Sequence, residues 1–130
     1  MSGTERTIPS PPVNAENQAF FDAARAGRLL VGRCTACGEF HYYPRAVCPF
    51  CASERTEWVP AQGRGRIYAF SVMRRAEAPY AIAYVTLAEG VTMLTNLVDC
   101  DFDRLRIGDP VRVVFKAADG GEMIPMFTPE

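Results

Sequence analysis

A chain of 130 residues, 48% hydrophobic and 22% charged, has the composition of one globular domain or of two very small modules sharing a chain. The formal charge is −1, and neither half hides a basic excess: residues 1–59 carry six Arg against six Asp or Glu, and residues 60–130 carry eight Lys or Arg against nine. That balance argues against nucleic acid as the main partner, because phosphate contacts supply most of such affinity.

The first thirteen residues, MSGTERTIPSPPV, are rich in Pro and Ser and read as a mobile tail. They hold no apolar stretch of the kind a secretory leader needs, and no later run approaches the roughly 18–20 apolar residues of a membrane span. A cytoplasmic, reducing setting is the expectation, and there paired cysteines favour metal over disulfide. Asn14 then opens NAENQAFFDAARAG, with Asn at an N-cap and Gly27 placed to end the helix, which predicts a short helix over about 15–26. Phe20 and Phe21 are adjacent, so they splay: one can pack on the chain's own core while the other faces a partner.

RLLVGRC (28–34) reads as a strand leading into the first cysteines. CTACGEFHYYPRAVCPFC (34–51) carries two Cys-x-x-Cys pairs with ten residues between them. Each pair makes a knuckle that aims two thiolates at one point, and two knuckles complete a tetrahedron. The spacing therefore predicts a zinc ribbon ligated by Cys34, Cys37, Cys48 and Cys51, although a rubredoxin-type iron site uses the same ligands. Four thiolates leave no open position, so the ion is structural and its removal should unfold residues 31–58. Gly38 follows the first pair, where a left-handed backbone is wanted; Ala52 holds the matching place after the second, where glycine would be more usual. His41 is expected at the surface or rim, and the lone Cys100 as a small half-buried apolar residue. The aromatics Tyr42, Tyr43 and Trp58 are expected to form the ribbon's small core, or else a face for a partner or flat ligand.

Gly63 and Gly65 mark a boundary, after which the pattern turns to period two. Strands are predicted at 66–75, 80–90, 91–100, 111–116 and 122–127, with a hairpin turn at Glu89-Gly90 and a one-turn helix in DFDRLRIGDP. Five short strands in about 65 residues suggest a closed barrel. Strand count and the helical turn before the fourth strand favour an OB-fold over an SH3-like barrel or half a sandwich. The expected class is mainly β: a tail and helix over 1–30, a rubredoxin-like zinc ribbon over 31–58, and a five-stranded OB-fold barrel over 59–130.

This order of features resembles a bacterial and archaeal family of zinc-ribbon plus OB-fold proteins long labelled a domain of unknown function, number thirty-five. The resemblance rests on ENQAFFDAARAGRLLVGRCTACG, on YPRAVCPFC leading to EWVPAQGRGRIYAFSV, on PYAIAYVTLAEGVTMLTNLV and on LRIGDPVRVVF, and it covers about residues 14–128. It departs at Ala52 and at Phe21, where tryptophan is expected as often as phenylalanine. It implies an accessory subunit of a hetero-oligomer that handles acyl-CoA, often in steroid side-chain or aromatic degradation. A thiolase-like or hydratase-like partner would supply the catalytic residues.

The residues agree on one point. With one histidine, no nucleophile beside a base and no Gly-rich phosphate loop ahead of a helix, the chain shows no catalytic set of its own. Arg64 and Arg66, with Arg74 and Arg75 at the far end of the same strand, are the candidates for CoA phosphates; Phe20, Phe21, Tyr42 and Tyr43 are the candidates for partner contact. Two other functions are compatible with these elements: a single-stranded nucleic-acid binder, and a stand-alone enzyme acting on an acyl-CoA.

Overall fold

The computed structural model describes residues 7–42 and 45–130. Its elements are α1 (Gln18–Arg25), β1 (Leu30–Cys34), β2 (Phe40–His41), β3 (Thr56–Pro60), β4 (Arg64–Met73), β5 (Tyr80–Leu87), β6 (Thr92–Leu97), a single 3₁₀ turn (Phe102–Arg104), β7 (Pro110–Ala117) and β8 (Met123–Pro129).

Alternation builds the barrel. On β5, Ala81, Ala83, Val85 and Leu87 are buried while Tyr84 faces out; on β6, Met93, Thr95 and Leu97 are buried while Leu94 faces out. The strands close in the order β4-β5-β6-β8-β7, with β7 returning to β4. The pairing is antiparallel except between β6 and β8, which meet in parallel register at Leu97 and Phe127. This is the five-stranded OB-fold expected from the strand count. Asp101 accepts from the Asp103 amide at 3.0 Å to start the 3₁₀ turn, and Gly90, at φ 97°, closes the β5–β6 hairpin. One irregularity matters later. The register of β4 on β5 shifts between Ile67 and Ala69, and the bulged Tyr68 points to solvent.

The ribbon sheet has the order β2-β1-β3. Its sides and the barrel share one apolar cluster, because Phe20, Phe21, Leu29 and Val31 join Ile67, Val85, Leu97, Val111 and Phe127. Helix α1 is the joint. Gly27, at φ 79°, ends it in a Schellman motif: its amide donates to the Ala24 carbonyl and the Arg28 amide to that of Ala23, both at 2.9 Å.

Four expectations are corrected here. The helix starts one turn later than predicted, because Asn14 and Asn17 lock each other: the Asn14 side chain accepts from the Glu16 and Asn17 amides, and that of Asn17 accepts from the Asn14 amide at 2.7 Å. Both phenylalanines are buried, at 3% and 8% exposure, so neither is left pointing into solvent. The short helix lies in the angle between β8 and β1, and opposite sides of it meet protein. The tail is tied down from residue 8: the Asp119 amide donates to the Ile8 carbonyl, the Ser10 hydroxyl to the Asp119 carboxylate, and the Gly120 amide to the Ser10 hydroxyl. Finally, His41 is buried rather than at the surface. It faces Gly32 across β1 and β2, and its ring occupies the space a β-carbon at Gly32 would need.

Candidate functional site

The two cysteine knuckles are built alike. In the first, the Cys34 amide donates to the Glu39 carbonyl and the Gly38 amide returns to the Cys34 carbonyl; in the second, Cys48 pairs with Ser53 and Ala52 with Cys48 in the same way. Amides point at the sulfurs, from Cys37 to Cys34 Sγ at 3.5 Å and from Phe50 to Cys48 Sγ at 3.4 Å. The fifth residue of each knuckle is left-handed, Gly38 at φ 79° and Ala52 at φ 63°.

The first knuckle lies in the turn from β1 to β2 and the second in the connection from β2 to β3, and their sulfurs converge. Cys34 Sγ lies 3.6 Å from Cys51 Sγ, Cys37 Sγ lies 3.7 Å from Cys48 Sγ, and all four sulfurs lie within 4.8 Å of one another. A tetrahedron with metal–sulfur bonds of about 2.3 Å has edges of about 3.8 Å, so the donor set fits one Zn²⁺. Among the described residues this is the one group of three or more His, Cys, Asp or Glu side chains placed to share an ion, and His41 is outside it. The sulfurs are held in unequal states. The Cys37 amide draws the Cys34 thiol down to about 6. At Cys51 the Ser53 amide pulls the same way, but the Cys34 sulfur and burial outweigh it and push the thiol up to about 12. Four adjacent thiolates repel one another, so full ionisation requires a cation among them, and binding exchanges protons for metal. Cys100 has no such company: burial and the charges of Asp99 and Asp101 raise its thiol, which makes it a poor nucleophile.

The four arginines do not form one site. Arg64 and Arg66 share the outer face at the start of β4, whereas Arg74 and Arg75 follow its end; at about 3.3 Å per residue the two pairs are separated by about 26–36 Å of extended chain. Arg74 is neutralised by Asp103 at 2.6 Å, and Arg64 meets Glu130 at 3.5 Å. The structure adds a residue the sequence reading missed: Arg112 on β7 stands directly opposite Arg64.

The aromatics of the ribbon gather on α1. Phe20 packs edge-on against Phe21 (ring centroids 5.2 Å) and Tyr42 (5.8 Å), with Trp58 at 6.4 Å. A cleft of about 180 Å³ opens beside them, lined by Phe20, Phe21 and Tyr42 with Pro11, Ile124 and Pro125. Tyr43 lies outside the described residues. A second aromatic group lies on the barrel exterior: Tyr68 and Tyr84 are 67% and 49% exposed on the outside of β4 and β5, next to Leu94 at 55%. The signal was present in the alternation, which sets Tyr84 and Leu94 out of phase with the buried residues.

A zinc ribbon fused to an OB-fold barrel is thus the class that the fold and the sulfur site define. Residues 21–57 match the ChsH2 rubredoxin-like zinc ribbon domain, and residues 58–116 match the ChsH2 C-terminal OB-fold domain. The chain is 37% identical to a DUF35 domain-containing scaffold protein of Methanothermobacter thermautotrophicus, over 72% of this chain and 77% of the other. It is 36% identical to a probable enoyl-CoA hydratase alpha subunit of Thermomonospora curvata, over 93% of this chain but only 40% of that protein's length. A benzoylsuccinyl-CoA thiolase subunit BbsA of Thauera aromatica is 34% identical over 56% of this chain and 54% of its own. Among solved structures, a chain of the Ltp2-ChsH2(DUF35) aldolase superposes with a TM-score of 0.79 at 36% identity, covering 92% of this chain and 98% of that one. The protein belongs to the DUF35 family, the ChsH2-type zinc-ribbon and OB-fold proteins.

Proposed function

We propose that this chain is a non-catalytic, zinc-stapled subunit that binds and supports a separate enzyme acting on CoA thioesters, of the thiolase, aldolase or hydratase kind. The observation that carries this reading is the sulfur site. Its four sulfurs converge within 4.8 Å of one another and would fill the coordination sphere of a zinc ion, so the metal would hold the ribbon without offering a position to substrate or water. The family relatives support the same reading, since they include subunits named for CoA thiolase, CoA hydratase and aldolase assemblies.

Zinc, when bound, supplies the tertiary link between the two knuckles; the chain's own residues do the rest. The shared core makes ribbon and barrel one rigid piece that presents surfaces to the partner. Phe20, Phe21 and Tyr42 would reach a partner only along the mouth of the cleft that they line. For contact with CoA we favour Arg64 and Arg66, which share one face of β4, over Arg74, which Asp103 holds, and its neighbour Arg75 at the far end of the strand. The test is co-expression with the acyl-CoA enzyme encoded beside this chain, followed by gel filtration. One co-eluting species supports the proposal; two independent peaks, or turnover of a CoA thioester by the purified chain alone, contradicts it.

A second reading has one observation in its favour. Exposed Tyr68 and Tyr84 beside arginines on an OB barrel could stack bases of single-stranded nucleic acid. Salt-sensitive retention of an oligonucleotide would favour it.

A further inference from the structure

The outward-facing side chains of β4, β5 and β6 form ordered rows. Arg112 stands opposite Arg64; the next outward row is Pro110, Arg66, Thr86 and Thr92; the next is Ala69, Tyr84 and Leu94, with the bulged Tyr68 beside it; then come Ser71, Ile82 and Asn96. The face therefore runs from a cationic end, across a pair of hydroxyls bonded at 3.0 Å, to an apolar centre. Tyr68, Tyr84 and Leu94 are exposed there, and Tyr84 and Leu94 line a shallow dimple of about 180 Å³. Large apolar side chains grouped on an otherwise polar exterior mark an interaction site.

Among the described residues, Arg64, Arg66 and Arg112 hold one carboxylate between them. Arg74 and Lys116 each hold a carboxylate at 2.6 Å, and Arg104 has Asp101 at 3.8 Å. At the cationic end Arg64 has only Glu130 at 3.5 Å, Arg66 donates to the Gly108 carbonyl, and Arg112 has no acidic partner among the described residues. Like charges directly opposite in a sheet are destabilising, yet Arg64 and Arg112 face each other. An anion delivered from outside would relieve that repulsion.

The face selects its occupant. The dimple is smaller than the roughly 300 Å³ at which small-molecule pockets begin, and it lies on the outside of a barrel, so a macromolecule fits better than a free ligand. A nucleic-acid strand needs cations along its whole track, but here they sit at one end and the centre is aliphatic at Leu94 and Ile82. A second copy docked by the same face would set arginine against arginine, whether like ends met or this end met the one carrying Arg74 and Arg75. Resting on the function proposed above, we infer that this face is where the acyl-CoA enzyme docks: the Tyr68, Tyr84 and Leu94 centre packs on the enzyme, and Arg64, Arg66 and Arg112 meet the phosphates of the CoA that the enzyme holds.

The account predicts linkage: if the chain touches enzyme-bound CoA, then CoA must tighten the chain's hold on the enzyme. The test is calorimetry between the full-length chain and the enzyme that co-elutes with it, with and without CoA. Wild type should bind more tightly with CoA. The double variant Tyr84→Glu/Leu94→Glu should lose at least about tenfold in affinity in both conditions, as expected for central anchors. The double variant Arg64→Ala/Arg112→Ala should keep its CoA-free affinity within about twofold, an effect typical of rim charges, and lose the CoA enhancement. Circular dichroism and zinc content establish that each variant folds, and the milder Tyr84→Ser/Leu94→Ser pair is read if the glutamates fail that check. Unchanged binding of the Tyr84/Leu94 variants sinks the docking face while leaving the accessory role intact. Absence of any CoA effect on wild type sinks the arginine assignment. If wild type and enzyme do not associate at all, the accessory role fails and this inference with it. A chain dimer dissolved by Tyr84→Glu, or oligonucleotide binding lost in the same variant, would also overturn it in favour of those occupants.

Discussion

Replacing Ala52 by glycine should stabilise the ribbon. Ala52 and Gly38 occupy equivalent positions in two knuckles with the same hydrogen bonds, and both have left-handed backbones, at φ 63° and 79°. A left-handed conformation costs a residue bearing a β-carbon roughly 1–2 kcal/mol. Glycine removes that strain but gives back roughly 0.5–1 kcal/mol through the greater freedom of its unfolded chain. The net gain for Ala52→Gly is then about 0.5–1 kcal/mol. Because site formation and folding are one process, that gain should appear as zinc affinity higher by about two- to fivefold. Gly38→Ala should show the reverse by a similar amount. A β-carbon there meets nothing within 4 Å, so the change probes backbone conformation with no new contact. Competition for zinc against a chromophoric chelator at fixed pH, together with thermal melts, measures both variants. If Ala52→Gly weakens zinc binding while Gly38→Ala leaves it unchanged, the left-handed knuckle argument is wrong.

Other outcomes follow from the same physics. Chelating the zinc should unfold the ribbon over residues 31–58, seen as loss of amide protection there by hydrogen exchange; full protection after chelation would refute the coupling. Phe20→Ala should cost about 3–5 kcal/mol in chemical denaturation, because Phe20 ties the helix to Tyr42, Trp58 and the barrel core; a cost near zero would mean that the helix does not unite the two parts. Gly32→Ala should destabilise by about 1–3 kcal/mol, since its methyl group must displace the buried His41 ring. Cys100 should react with a thiol reagent more slowly than an unperturbed cysteine at neutral pH, because its raised thiol is mostly protonated there; rapid labelling of the folded chain would contradict that assignment.

Features set by local chemistry were legible from the residues. The cysteine spacing specified a four-sulfur cluster. The period-two alternation specified five strands, and Glu89-Gly90 and Gly27 marked turns that the backbone does take. Features set by pairing at a distance were not legible. His41 is buried because Gly32 on another strand leaves a space for its ring. Phe21 is buried because the helix sits between two sheets, and the tail is fixed because Ser10 meets Asp119, 109 residues away. The arginine grouping depended on cross-strand register, which removed Arg74 and Arg75 from the neighbourhood of Arg64 and brought in Arg112. Ala69 joins Tyr68 on the outer face at a bulge that no alternation pattern announces.

Underneath the accessory role lies the claim that the metal is sealed off from chemistry. X-ray absorption at the zinc edge of freshly purified protein tests this directly. The expected spectrum is one zinc per chain with four sulfur neighbours at about 2.3 Å. A shell containing oxygen or nitrogen, or protein that carries no metal, would contradict it.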